Sequence, residues 1–184
     1  MAIRVNLSYN MVVTLILYRA EMELKMEKLT YKTVSSSRTE QVQILMPEHI
    51  NGFNRLFGGR LVEWIDVVAA VVARRHSGRN VTTASIDNLQ FKAAAYINST
   101  IFLSGQITYV GTTSMEVRVN TYVETLDGMR HMINRAYLVL VALDENDHPI
   151  QIPGIMLETD EERLEWEAGE KRNKLRKQRR LEAY

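Results

Sequence analysis

One stretch limits what this chain can become. Residues 51–76, NGFNRLFGGRLVEWIDVVAAVVARRH, open in a turn-like segment and pass a Gly58-Gly59 pair. They then stay mostly apolar for about four helical turns. Leu61, Ile65, Val68 and Val72 recur at helical spacing, while Val62, Trp64, Val67, Ala69, Ala70 and Val71 fill much of the rest. A helix that is apolar nearly all round is one the remainder of the protein wraps. Asp66 sits inside that surface, with Val62, Glu63, Ala69 and Ala70 as helical neighbours and no cation one turn away. Such a carboxylate is costly to ionise unless another element supplies partners.

The flanks supply the other elements. Residues 28–38 read as a polar lead-in, and residues 41–46 as a short strand closed by Pro47. The helix ends near Ser77-Gly78; Arg74, Arg75 and His76 in its last turn complement the dipole, and Gly78 suits the C′ position. Residues 81–92, 97–110, 114–126 and 131–143 are rich in Val, Ile, Thr and Tyr with partial alternation, and turn residues separate them. Four consecutive strands with short links predict an antiparallel meander. The expected fold class is α+β, a curved antiparallel sheet wrapped around a long central helix. A last element opens with Thr159 and Glu162 as a capping box, acidic at its start and basic at its end. The expectation is a solvated, dipole-matched helix, with docking of an anionic partner such as a nucleotide's phosphates as the other reading. Three segments follow: an extension over 1–38 with little structure, a domain over 39–153, and a charged C-terminal helix over 154–184.

Composition removes several function classes. At 184 residues the chain fits one domain with a real core, and a net charge of +1 gives no field for nucleic acid or an anionic membrane. No cysteine is present, which excludes disulfide, thiolate and zinc-thiolate chemistry. The histidines (His49, His76, His131, His148) form no HxH or HExxH pattern, so no metal site is expected. The apolar run at 11–18 is too short to span a bilayer and lacks the features of a secretory signal. Met22 and Met26 are alternative initiators, so residues 1–25 are expected to be upstream or dispensable sequence. With no targeting signal, cytoplasm is the default location.

No GxSxG elbow, Walker A loop or dinucleotide fingerprint occurs. What remains is Asp66, a polar loop with Asn51 and Asn54, and the glycine pair leading into the helix. Gly58 and Gly59 leave backbone N–H groups uncovered at the positive end of the helix dipole, where a developing oxyanion can be held. A plain tight turn and a structural buried acid are the alternative readings.

The run Asn51-x6-Gly58-Gly59-x6-Asp66, followed by VTTASIDNLQF and YVGTTSMEV, resembles the hotdog-fold acyl-CoA thioesterases. The likeness is to the acyl-CoA hydrolase branch with the cytosolic long-chain enzymes and their small bacterial relatives. It covers residues 39–153, and the tail after IPGI is similar to some members. The resemblance implies a hotdog dimer with helices side by side and sheets joined edge to edge, assembling further into a hexamer. It implies hydrolysis of fatty acyl-CoA to CoA and a carboxylic acid, without a cofactor or metal, at sites on the dimer interface. By position Asp66 is the catalytic acid, as general base or nucleophile, and Asn51 comes from the opposing subunit. Gly58 and Gly59 form the oxyanion hole. Arg79, Thr82, Thr83, Thr112, Thr113 and Ser114 are implied as substrate-binding residues. Two other functions remain open: a non-catalytic acyl-CoA sensor or assembly module, and a hotdog hydratase or dehydratase, for which His49 is the nearest histidine.

Overall fold

A computed structural model describes Thr14, residues 17–19 and residues 31–182. The expectation for residues 1–25 otherwise lies outside the described residues. The elements run β1 (Tyr31–Thr33), β2 (Thr39–Ile44), α1 (Gly58–Ser77), β3 (Asn80–Phe91), β4 (Thr100–Val110), β5 (Ser114–Glu124), β6 (Arg130–Leu143), β7 (Gly154–Met156) and α2 (Asp160–Leu181). Five strands form one antiparallel sheet in the order β2-β4-β5-β6-β3.

That order corrects the expected meander. β4, β5 and β6 do follow one another as hairpins, but β3 pairs with β6 and not with β4. The link over residues 92–99 is longer than a hairpin turn and crosses the end of the sheet. Lys92 N–H donates to Ile133 O of β6, and at its far end Asn98 and Leu45 bond just past β2. Backbone groups in a link must find partners somewhere, and here both ends of the sheet supply them.

α1 lies in the concave face. Its Leu61, Ile65, Val68, Ala69 and Val72 meet Ile101, Leu103 and Ile107 of β4, and Val117, Val119, Leu138 and Leu140 of the next two strands. Burying each Leu, Ile or Val contributes roughly 1.5–3 kcal/mol, which far exceeds any intrinsic helix preference. Gly105 sets the distance: a Cβ there would stand 2.7 Å from Val68 Cγ1 and 3.0 Å from Val72 Cγ2. The helix stops at Gly78, whose φ of 68° suits glycine, with its N–H on Arg74 O at 2.8 Å. The helix is not covered all round, however. Glu63 is exposed, and Val67 on the same side is 51% exposed. One sheet can cover only one side of a helix, and apolar periodicity does not say what covers the other.

α2 also departs from expectation, because it packs on the convex face of the sheet. The N-terminal capping box forms as its sequence suggests, with Thr159 Oγ1 accepting from Glu162 N–H and the Glu162 carboxylate accepting from Thr159 N–H. Further along, Trp166 stacks on Tyr109 at 4.7 Å between centroids. Glu116 of β5 is the anchor: its side chain is 0% exposed and takes Arg172 at 2.8 Å and Arg176 at 2.7 Å. Thr108 Oγ1 adds a 2.7 Å bond to the same carboxylate. Arg118 meets Glu165 at 2.8 Å, and the Arg172 guanidinium sits 3.9 Å from the Tyr137 ring centroid. Part of the charge read as solvated is therefore the packing itself.

The polar lead-in is also tied down from residue 31 onward. β1 pairs in parallel with β7, Val34 is buried, and Lys32 Nζ donates to Arg75 O at 2.7 Å. Buried His76 donates from Nε2 to Pro153 O at 3.0 Å, while Nδ1 has no partner among the described residues. Burial holds its pKa below the ordinary 6.5, the Pro153 carbonyl works the other way, and Lys32 adds to the lowering.

Two stability measurements check this packing. Glu116→Ala, which strands two arginines against the sheet, is expected to cost about 3–5 kcal/mol in urea unfolding. Glu124→Ala, which removes a partly exposed partner of the exposed Arg130, is expected to cost no more than about 1 kcal/mol; equal losses would contradict the anchoring role. Because the folded pKa of His76 is lowered, its contribution is full above the unfolded value and lost as pH falls below it. The stability difference between wild type and His76→Gln should therefore shift against wild type between about pH 7 and 5.

Candidate active site

Asp66 is half-buried on α1, two turns in from the glycine pair. Its partner comes from β3: Thr83 Oγ1 donates to Asp66 Oδ1 at 2.6 Å. Thr83 stands opposite Leu140, a core residue, so the strand register turns its hydroxyl toward the helix. The acid is thus less enclosed by its own chain than its apolar surroundings in sequence suggest. Its Oδ2 has no protein partner among the described residues. A carboxylate fixed through one oxygen and open at the other can accept a proton or attack an electrophile.

Asn51 opens a tight loop whose ends are bridged at Ile50 and Leu56. Its backbone N–H donates to Arg55 O at 2.8 Å, and its Oδ1 accepts from the N–H of Phe53 at 2.9 Å and of Arg55 at 3.3 Å. The carbonyl oxygen of the side chain is therefore occupied, and the amide NH2 remains as a donor. Asn51 lines a groove of about 320 Å³ with Leu56, Leu61, Phe91, Ala95 and Ile133. Asp66 is not part of that lining, and no hydrogen bond joins the two residues within the chain.

Gly58 and Gly59 form the first turn of α1. Phe57 precedes them as N-cap without a side-chain cap bond, and no acid lies in the first turn. The first N–H groups of the helix are left for an external acceptor, with the dipole behind them. Side chains would not fit here without displacing aromatic rings: a Cβ on Gly58 would lie 3.3 Å from Phe91 Cζ, and one on Gly59 2.7 Å from Phe57 Cε1. Phe57 and Phe91 are both exposed around this helix end. His49 is committed elsewhere. Its Nδ1 accepts from Met46 N–H at 3.1 Å, its ring meets Trp64 edge-on at 5.0 Å, and its carbonyl receives Phe57 N–H. These bonds give His49 a structural reason to be there.

The residues expected to bind substrate are not gathered in one place. Thr83 is joined to Asp66, and Thr82 is exposed on β3. Arg79 lines a separate groove of about 480 Å³ with Arg74, Asn80, Asp144 and Glu145. Thr112, Thr113 and Ser114 make the β4–β5 turn, where Gly111 N–H donates to Ser114 O at 2.8 Å. Thr113 and Ser114 face the basic end of α2 across a groove of about 590 Å³ that also takes in Ser85, Arg176, Arg179 and Arg180. Sequence reasoning missed these four as neighbours of the turn. The surplus of cations late in α2 was the available signal, but nothing local fixes where that helix docks.

Comparison with known proteins agrees with this architecture. The profile of the thioesterase superfamily matches residues 53–128. A Bacillus subtilis protein described as an uncharacterised acyl-CoA thioester hydrolase, YkhA, is 36% identical over 138 residues, covering 74% of this chain and 80% of that protein. The rat cytosolic acyl coenzyme A thioester hydrolase is 28% identical over 143 residues; 76% of this chain spans only 38% of its length. The acyl-CoA hydrolase of Staphylococcus aureus, solved with butyryl-CoA, CoA and CoA disulfide, superposes with a TM-score of 0.79 at 31% identity, covering 83% of this chain and 94% of that one. A hexameric acyl-CoA thioesterase gives a TM-score of 0.79 at 35% identity, covering 82% and 97%. The helix cradled by a curled antiparallel sheet is the hotdog fold, and the chain belongs to the thioesterase superfamily, among its acyl-CoA hydrolases.

Proposed function

We propose that Asp66 is the general base of thioester hydrolysis and that Asn51 of a second copy completes its site. Family membership makes the chain an acyl-CoA thioester hydrolase. The observation that carries the residue assignment is the 2.6 Å bond from Thr83 to Asp66, which orients the carboxylate and leaves Oδ2 for water. Spacing supports it. Alanine variants of the S. aureus enzyme replace an asparagine, an aspartate fifteen positions later and a threonine seventeen beyond that. Asn51, Asp66 and Thr83 stand at the same two intervals.

The reaction follows from those roles. Asp66 takes a proton from water as its oxygen bonds to the thioester carbon. The N–H groups of Gly58 and Gly59 hold the resulting oxyanion, and the Asn51 NH2 orients water or the carbonyl. The C–S bond then breaks, and the CoA sulfur leaves with the proton returned from Asp66. Attack by Asp66 itself, through a mixed anhydride, is the less favoured route. The groove lined by Leu56, Leu61 and Ile133 suits the start of an acyl chain. Arg79, Thr82 and the Thr112–Thr113–Ser114 turn are the surfaces offered to CoA.

A second copy is supported by what one chain leaves open: the Glu63–Val67 side of α1, the free edge of β3, and the exposed rings of Phe57 and Phe91. Dimers of this kind assemble as a hexamer in this reading, the state of one structural relative. A cytoplasmic location rests on the name of the rat relative.

Release of CoA thiol from acetyl- to palmitoyl-CoA tests the assignment without background, since the chain has no cysteine. Wild type should turn over and Asp66→Ala should lose roughly 100-fold or more. Thr83→Val should lose about tenfold while Thr83→Ser keeps most activity, if one hydrogen bond to the charged acid is what Thr83 supplies. Full turnover in Asp66→Ala would break the site assignment.

A further inference from the structure

Asn51 is followed by glycine, and no other asparagine in the sequence is. That pairing has a chemistry of its own. A backbone nitrogen with no side chain beside it can reach the Cγ of the preceding asparagine and close a ring. The reaction is held back where that N–H is bonded or the loop is covered. Neither holds at Gly52.

Residues 52–55 are all exposed, and a Cβ on Gly52 would meet nothing within 4 Å. The neighbouring N–H groups of the loop are spent. Phe53 and Arg55 donate to Asn51 Oδ1 at 2.9 and 3.3 Å, and Asn54 donates to Asn51 O at 3.0 Å. The Gly52 N–H has no acceptor among the described residues. These bonds also make Cγ a better target. The two donors on Oδ1 polarise the side-chain carbonyl and are already in place for negative charge developing on that oxygen. Arg55 and Lys92 line the groove with Asn51. Nearby cations favour an ionised amide nitrogen and, after it, a carboxylate.

We infer that Asn51 deamidates spontaneously through Gly52, and that losing this amide switches off a protein that stays folded. Solvent base removes the Gly52 amide proton, and the nitrogen bonds to Asn51 Cγ. The Cγ–Nδ2 bond breaks, and Nδ2 leaves as ammonia with a proton taken from water. Water then opens the cyclic imide at either carbonyl, leaving aspartate or isoaspartate. The net change consumes one water and releases one ammonia, with nothing oxidised or reduced.

An aspartate can still accept from Phe53 and Arg55, so the loop keeps its shape; isoaspartate adds a methylene to the backbone. Both products lose the NH2 donor and set a negative charge against the Asp66 of a second copy. The inactivation rests on the donor role proposed for Asn51, whereas the deamidation does not.

The test follows full-length wild type, Gly52→Ala and Asn51→Asp at physiological temperature, in mildly acidic and mildly alkaline buffer. Gly52 has no positive φ and open space around it, so alanine fits; unchanged unfolding curves check both variants. Peptide mapping by mass spectrometry reads the amide-to-acid exchange at position 51. Isomerisation at Asp127-Gly128 changes no mass and is not mistaken for it. Wild type should convert, faster in alkaline buffer because base is needed, and lose CoA release in step. Gly52→Ala should start at wild-type turnover, convert at least about tenfold more slowly and keep its activity. Fresh Asn51→Asp should already show the loss. An amide retained at position 51 in wild type, or equal conversion in Gly52→Ala, overturns the proposal. Full turnover in Asn51→Asp overturns the switch. Absence of CoA release from fresh wild type, with conversion at Asn51 intact, overturns the hydrolase reading and leaves the modification site standing.

Discussion

The close seat of α1 on β4 is the contact on which the rest of the molecule depends. At Gly105 the helix side chains of Val68 and Val72 occupy the space where a Cβ would be. A helix held at that depth lets the sheet curl around it, and the curl brings the edge strand β3 alongside Asp66. The 2.6 Å bond from Thr83 is a product of that geometry. At the other end of α1 the Gly58-Gly59 turn has neither a side-chain cap nor an acid in the first turn. Overpacking a site this tight typically costs about 1–3 kcal/mol. Here it would also displace the acid from its partner.

The convex face is organised by a different kind of contact. Glu116 is a buried charge, and a buried charge is tolerated only when partners satisfy it. Arg172, Arg176 and Thr108 do so together. Because the arginines belong to α2 and the acid to β5, this cluster fixes the register of the helix on the sheet.

Local patterns made much of this fold legible. The period and caps of α1, with Gly78 closing it, follow from apolar spacing and turn chemistry, and so does the Thr159–Glu162 start of α2. Non-local pairing was not legible. Residues 92–99 look like any strand link, and only the bonds from Lys92 to Ile133 and from Asn98 to Leu45 make them a crossover. The alternation in MEVRVN marks Glu116, Arg118 and Asn120 as one face of β5, but that pattern reads equally as solvent-facing. Asp66, Asn51 and the glycine pair stood out by residue type and setting. Thr83 was singled out as a possible contact to substrate; its bond to Asp66 depends on strand register, which composition does not carry. Apolar periodicity also could not divide α1 into the side that meets the sheet and the side left open at Val67.

The central claim is that each acid is completed by the loop of another copy. Subunit complementation tests it most directly. Asp66→Ala and Asn51→Ala chains, each inactive alone, would be co-expressed in equal amounts and the mixed assemblies assayed for CoA release. If the site spans two copies, a mixed dimer pairs an intact Asp66 with an intact Asn51 once. Activity should then return to about one quarter of wild type for random pairing. If both residues serve a site within one chain, no mixture restores turnover, and that result would contradict the account.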